Sequence, residues 1–146
     1  MAFEIERKYL VKNNRYLDIA DYYLEIRQGY LCKEPERTVR VRVLDKRGYL
    51  TVKGLTVGTK RLEYEYEIPY EDAVEMLELC VGNIIEKRRY ILRYKGVRWE
   101  VDEFIGKHEG LVLAEVELPD EDANYELPPF VGEEVTGNTA YYNSNL

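Results

Sequence analysis

Three charged side chains near the start of the chain, Glu4, Glu6 and Lys8, sit two apart in sequence. In an extended strand successive side chains point to opposite faces, so this spacing sets two carboxylates and an ammonium in one row. The same spacing of charges returns again and again. Arg40 and Arg42 alternate with Val39, Val41 and Val43, and Lys53 shares a face with Thr51. Glu63 and Glu65 follow, then Lys87 and Arg89, then Asp102 in phase with Arg98 and Glu100, and last Glu115 and Glu117. Such rows suit either the wet skin of a barrel with an apolar inside or a polar lumen with the apolar faces turned outward. The second arrangement carries chemistry. Charges in a lumen are tolerated only when paired, solvated or holding ions. Arginine offers forked donors to phosphate oxygens and lysine a point charge. Carboxylates beside them suit Mg²⁺ or Mn²⁺, which take oxygen ligands and bridge phosphates.

The elements that must position these residues are mostly strands. Residues 3–11 alternate, and Asn13 and Asn14 then open a break that caps one helical turn through Ile19. Residues 21–33, rich in tyrosine and aliphatics, read as a long strand that Gly29 bulges or bends. Glu34, Pro35 and Glu36 turn the chain into residues 37–44, the cleanest alternation present. A turn at 45–48 leads into 49–54, and 61–68 alternates again until Pro69. Residues 71–81 form the one clear helix, with Ala73, Val74, Leu77, Cys80 and Val81 at helical spacing, acids in the first turn and Gly82 as its stop. Strands at 84–94, 97–105 and 111–118 follow. The tail, with Pro119, Pro128 and Pro129, reads as loop with short helical turns. These elements predict a mainly β protein of the α+β class, an eight-stranded antiparallel barrel with a few peripheral helices. A helix over 71–81 needs an apolar outer sheet surface to pack on, which leaves the polar lumen open.

Composition narrows the classes. At 146 residues the chain is one domain spanning 1–146, long enough to bury a core. Hydrophobic residues at 45% and charged residues at 34% exclude a disordered chain. A net charge of −7 speaks against nucleic acid and anionic membrane as partners, so any anion site must be local. No apolar run approaches the ~20 residues that cross a bilayer, and the charged N-terminus is no signal peptide. Cys32 and Cys80 lack metal or redox spacing and read as reduced core thiols of a cytoplasmic protein. His108, the only histidine, lies in a polar stretch that reads as a surface turn.

Taken in order, the motifs resemble those of the CYTH, or triphosphate tunnel metalloenzyme, family. Glu4-x-Glu6-x-Lys8 matches its signature, and Arg40-x-Arg42, Thr51-x-Lys53-Gly54, Glu63-x-Glu65, Glu86-Lys87-x-Arg89-Tyr90, Trp99-x-x-Asp102, Glu115-x-Glu117 and Gly132 to Thr136 continue the match across the chain. The resemblance implies an eight-stranded tunnel that binds triphosphate substrates with a divalent metal, Mg²⁺ or Mn²⁺. The short length and the closing Tyr141 to Ser144 look most like small prokaryotic members, many of which hydrolyse inorganic tripolyphosphate. Lys8, Arg40, Arg42, Lys53, Lys87 and Arg89 would then hold the triphosphate. Glu4, Glu6, Glu115 and Glu117 would hold metal, and Lys8 with nearby carboxylates would orient a water. Glu63, Glu65 and Asp102 would serve either as metal or water partners or as anchors for neighbouring bases. One departure stands out: Asn138-Thr139-Ala140 occupies the place where the family often has Asp-Pro-Arg. Within the family the alternatives are adenylate cyclase and thiamine triphosphatase; outside catalysis, a polyphosphate-binding module. The expected protein is a cytoplasmic monomer or homodimer whose partner is a small triphosphate.

Overall fold

The computed structural model describes residues 3–146. Nine strands run in the order β1 (Phe3–Val11), β2 (Tyr22–Cys32), β3 (Arg37–Leu44), β4 (Arg47–Gly54), β5 (Lys60–Ile68), β6 (Val81–Tyr94), β7 (Val97–Ile105), β8 (Val112–Glu117) and β9 (Val131–Glu134). Two helices interrupt them, α1 (Tyr16–Ile19) and α2 (Tyr70–Leu77), with 3₁₀ turns at Gly106–His108, Thr139–Tyr141 and Asn143–Asn145. Every pairing is antiparallel, and the sheet order is β5-β4-β3-β2-β6-β7-β8-β1, closed by β1 on β5. The closure is brief, from Phe3↔Leu62 to Ile5↔Lys60. Further along, β1 exchanges β5 for β9, which pairs with it at Tyr9 and Val11.

The apolar core lies outside the barrel. One layer joins Tyr9, Leu92, Trp99, Val101, Ala114 and Val116 on the outer face of the sheet to Tyr16 of α1 and to Leu118, Phe130 and Val131 of the long connection. A second packs Ala73 and Leu77 of α2 on Val41 and Val43 of β3. With both outer layers taken up by hydrophobic burial, the alternate residues of each strand must face the lumen. Charged rows therefore line it. At one end the lumen is apolar too: Ile85, Phe104 and Leu113 meet Tyr141 and Leu146 of the tail, which plugs that end.

Three expectations change. The helix ends at Leu77 rather than at Val81, because Val81 pairs with Tyr30 and so begins β6. Gly82, read as a helix stop, instead has φ +71° inside β6. The tail adds a ninth strand that its sequence does not announce, made by the free edge of β1: Lys12 N–H bonds the Phe130 carbonyl at 2.9 Å and Val135 N–H the Lys8 carbonyl at 2.8 Å. At Gly29 the β2–β6 ladder shifts register while Gly29 stays paired with Val41 of β3, and a Cβ there would sit 2.8 Å from Cys80 Sγ. Cys32 and Cys80 are half-buried free thiols, and His108 closes its 3₁₀ turn. Among the described residues no helix is long and apolar enough to cross a membrane.

Since the core is external, Trp99→Ala should cost about 3–5 kcal/mol of unfolding free energy. Urea denaturation with chelator present measures it. A loss below about 1 kcal/mol would place the stabilising core elsewhere.

Candidate active site

The lumen encloses a cavity of about 480 Å³, in the range of roughly 300–1,000 Å³ common for small-molecule sites. Glu4, Glu6, Lys8, Arg40, Arg42, Lys53, Glu63, Glu65, Lys87, Arg89, Glu115 and Glu117 all line it. Asp102 alone among the sequence candidates does not. It lies behind the lining at 2% exposure, with Lys87 Nζ 2.7 Å away and Arg89 donating to it through Nε at 2.8 Å and Nη2 at 2.9 Å. Of the two roles open to Asp102, the geometry gives it the anchoring one.

Strand order sorts the charges into two walls. Bases come from neighbouring strands: Lys53 on β4, Arg40 and Arg42 on β3, and Lys87 and Arg89 on β6, with β2 between β3 and β6. Acids fill the other half: Glu100 on β7, Glu115 and Glu117 on β8, Glu4 and Glu6 on β1, and Glu63 and Glu65 on β5. Lys8 stands on the acidic side, 3.3 Å from Glu115 and donating to the Tyr141 carbonyl at 3.1 Å. Lys53 reaches across to Glu4 at 3.2 Å and Glu63 at 3.8 Å, and Arg89 to Glu100 at 3.6 Å. Glu65 and Glu117 are the exposed acids of the lining.

Two buried bases of the lining make no ion pair among the described residues. Arg42 donates from Nε to Gln28 Oε1 at 2.8 Å, and Arg40 donates from Nη2 to Thr51 Oγ1 at 3.2 Å. Arg40 Nε is buried without any partner. Burial, with Arg40 and Arg89 nearby, lowers the Arg42 guanidinium to about 9. Lys87 falls to about 7 through burial and the same crowding by Arg89 and Arg42, against the pull of Asp102. An unpaired buried guanidinium is costly without an anion. These are vacancies for negative charge.

The acidic wall shows the converse. Burial raises Glu6 well above the ordinary carboxylate range, and Glu115 and Glu4 push it further. Burial and a hydrogen bond shared with Glu4 raise Glu63 to about 8, while against burial Lys53, Glu63 and Arg40 together hold Glu4 at about 2. Burial and Glu4 raise Glu117 as well. Against burial and Asp102, the cations Lys8, Arg89 and Lys87 together hold Glu115 at about 2. Crowded carboxylates with too few partners call for a cation, and an all-oxygen donor set suits a hard divalent one. Among the described residues no three of these groups converge on a ready-made metal site. That also fits Mg²⁺, which commonly uses one or two carboxylates and completes its shell with water and substrate phosphate.

Several lining residues escape the charge rows. Tyr30 of β2 lines the cavity, while Gln28 lies fully buried behind it against Arg42 and Asn143, and a single glutamine amid aliphatics was the available signal. Arg61 is fixed by the Gly54 carbonyl at 2.6 Å and Thr38 Oγ1 at 2.9 Å, next to Glu4 in register. Tyr142 and Asn143 come from the tail. Asn138, in the departing Asn-Thr-Ala stretch, accepts from Ala140 N–H at 3.1 Å and so caps the turn that aims this tail inward.

A closed antiparallel barrel with facing acidic and basic walls defines a polyanion tunnel of the metal-assisted kind. The chain belongs to the CYTH family: the CYTH domain matches residues 2–145. It is 52% identical to an inorganic triphosphatase of Acetivibrio thermocellus, over all of this chain and 94% of that protein. It is 35% identical to an inorganic triphosphatase of Nitrosomonas europaea, covering 98% of this chain and 95% of the relative. A crystal structure of an inorganic triphosphatase superposes with a TM-score of 0.68 at 32% identity, covering 97% of this chain and 95% of that one. Triphosphatases of the family are metal-dependent.

The shared proton has a measurable consequence. Glu63 keeps a proton up to about pH 8 in the folded chain, against an ordinary 4.5. Folding therefore binds a proton between those values, and stability falls as pH rises through them. Lys87 acts oppositely, with stability rising with pH, but only above about 7. In chelator the melting temperature should therefore drop between about pH 5 and pH 7, and Glu63→Gln should drop less. A flat wild-type profile would mean that Glu4 and Glu63 do not share a proton.

Proposed function

We propose that this chain is a single tunnel domain that hydrolyses inorganic tripolyphosphate to pyrophosphate and phosphate with Mg²⁺ or Mn²⁺. The observation that carries the reading is the pair of buried guanidiniums, Arg40 and Arg42, that make no ion pair among the described residues and face a wall of carboxylates. The full-length similarity to two inorganic triphosphatases supports the same substrate.

The roles follow from position. Arg40 and Arg42 take the phosphate oxygens, with Lys53, Lys87, Arg89 and Lys8 offsetting the remaining charge along the chain of phosphates. Glu4, Glu6, Glu115 and Glu117 would hold the divalent ion, which would supply positive charge against that developing at the cleaved bond. Glu63 and Glu65 stand on the same acidic side, where Lys8 and neighbouring carboxylates orient water in line with a terminal phosphorus. Asp102 touches no substrate. It keeps Arg89 charged and aims both Arg89 and Lys87. Water adds to that phosphorus, the bridging oxygen leaves with pyrophosphate, and the proton passes to a carboxylate of the acidic wall.

A phosphate-release panel over tripolyphosphate, pyrophosphate, ATP and thiamine triphosphate, each with Mg²⁺, Mn²⁺ or chelator, tests the reading. Tripolyphosphate should show the highest kcat/KM, with none in chelator; a cyclic nucleotide product or faster ATP turnover would overturn it. Arg40→Ala and Arg42→Ala should each raise KM by about ten- to a hundredfold, the worth of hydrogen bonds to a charged group. Both should also melt higher than wild type in chelator, because removing one cation relieves its neighbours. Glu6→Gln should fold normally and lose most turnover; full activity at an unchanged metal requirement would remove Glu6 from the metal site.

A further inference from the structure

The tail brings one amide into the middle of the basic wall. Asn143 Oδ1 accepts from Lys87 Nζ at 2.6 Å and from Gln28 Nε2 at 3.0 Å, while Gln28 Oε1 accepts from Arg42 Nε at 2.8 Å. The direction of this relay is forced. Guanidinium and ammonium only donate, so Arg42 fixes the Gln28 oxygen toward itself and its amide nitrogen toward Asn143. Lys87 independently requires the Asn143 oxygen on the same side. Both constraints agree, and Lys87 is otherwise faced by Asp102, Arg89, Arg42 and Glu115.

We infer that Asn143 is a positioning residue of the anion site, holding Lys87 directly and Arg42 through Gln28. The inference rests on the triphosphate reading of the lumen. Without the Asn143 oxygen, the buried Gln28 amide loses its acceptor and is free to turn its nitrogen toward Arg42, which has no use for a second donor. Lys87 would then keep its contact with Asp102 at 2.7 Å but lose the acceptor that holds it toward the tail. The tail is thus part of the site as well as its plug.

The test pairs Asn143→Leu, which keeps the volume and removes the acceptor, with Asn143→Asp, which keeps the acceptor and adds negative charge where phosphate must sit. Calorimetric titration with tripolyphosphate in chelator reads binding without turnover. Asn143→Leu should weaken binding by about ten- to a hundredfold, with KM rising in step and kcat changing less. Asn143→Asp should bind more weakly yet melt no lower than wild type, a combination that a purely structural role would not produce. Asn145→Ala, which loses only the bond to the Thr139 carbonyl within the tail, should bind as wild type does. Wild-type affinity in either Asn143 variant overturns the inference, as does an equal loss in Asn145→Ala. Wild-type protein that binds tripolyphosphate and releases no phosphate would sink the hydrolase reading and leave this one standing; wild-type protein that does not bind would sink both.

Discussion

A carboxylate shared by two cations holds the deepest charges of this molecule in place. Asp102 receives Lys87 Nζ at 2.7 Å and the fork of Arg89 at 2.8 and 2.9 Å, with Asp102 and Lys87 almost wholly out of water. Taking such charges from water is costly, and only close geometry with satisfied hydrogen bonds offsets it. The arrangement needs β6 and β7 in one register, Arg89 opposite Asp102. That register in turn needs Trp99 and Val101 to be buried on the other face of β7. One ladder thus links the hydrophobic layer outside to the charge layer inside.

The remaining charges are arranged by what they lack. Pairing every lumen base with an acid would have given a stable and inert barrel. Instead the acids concentrate on one half of the circumference and the bases on the other, with Lys53, Arg89 and Lys8 making contacts to acids and Arg40 and Arg42 making none among the described residues. Separated walls attract a ligand that is itself mixed: a polyanion on one side with a metal cation on the other. Like charges crowd on each wall, and a ligand that carries both signs would relieve both walls at once.

Much of this was legible because period-two alternation survives in sequence wherever two faces differ in kind. Val39, Val41 and Val43 against Arg40 and Arg42 define β3 and its inward face without help. The same logic placed Glu4, Glu6, Lys8, Lys87 and Arg89. Alternation does not say which face is inside; the helix's need for an apolar seat left the polar lumen open, and the ordered motifs' resemblance to the CYTH family pointed to it. It also fails where tertiary contacts impose the strand. Val131–Glu134 has no period and follows two prolines, so only the open edge of β1 makes it a strand. Helix spacing misled at Cys80 and Val81, since helical phase continues past the point where β2 claims the backbone. Asn143 carries no local signal at all, because its role comes from partners more than fifty residues away.

The pairing of β1 bears on how the chain reaches this state. Its partners are β5, β8 and β9, so the strand made first binds strands made much later. During synthesis β1 must wait for β5 at Lys60–Ile68 along one edge and for β8 at Val112–Glu117 along the other. Open edges invite pairing with other chains. The charges that later line the lumen, Glu4, Glu6 and Lys8, together with Arg7 on the reverse face, are the kind of side chains that discourage such encounters. Contacts so distant in sequence also make closure slow. The row of charges that serves the finished site thereby acts earlier as a guard on the nascent chain.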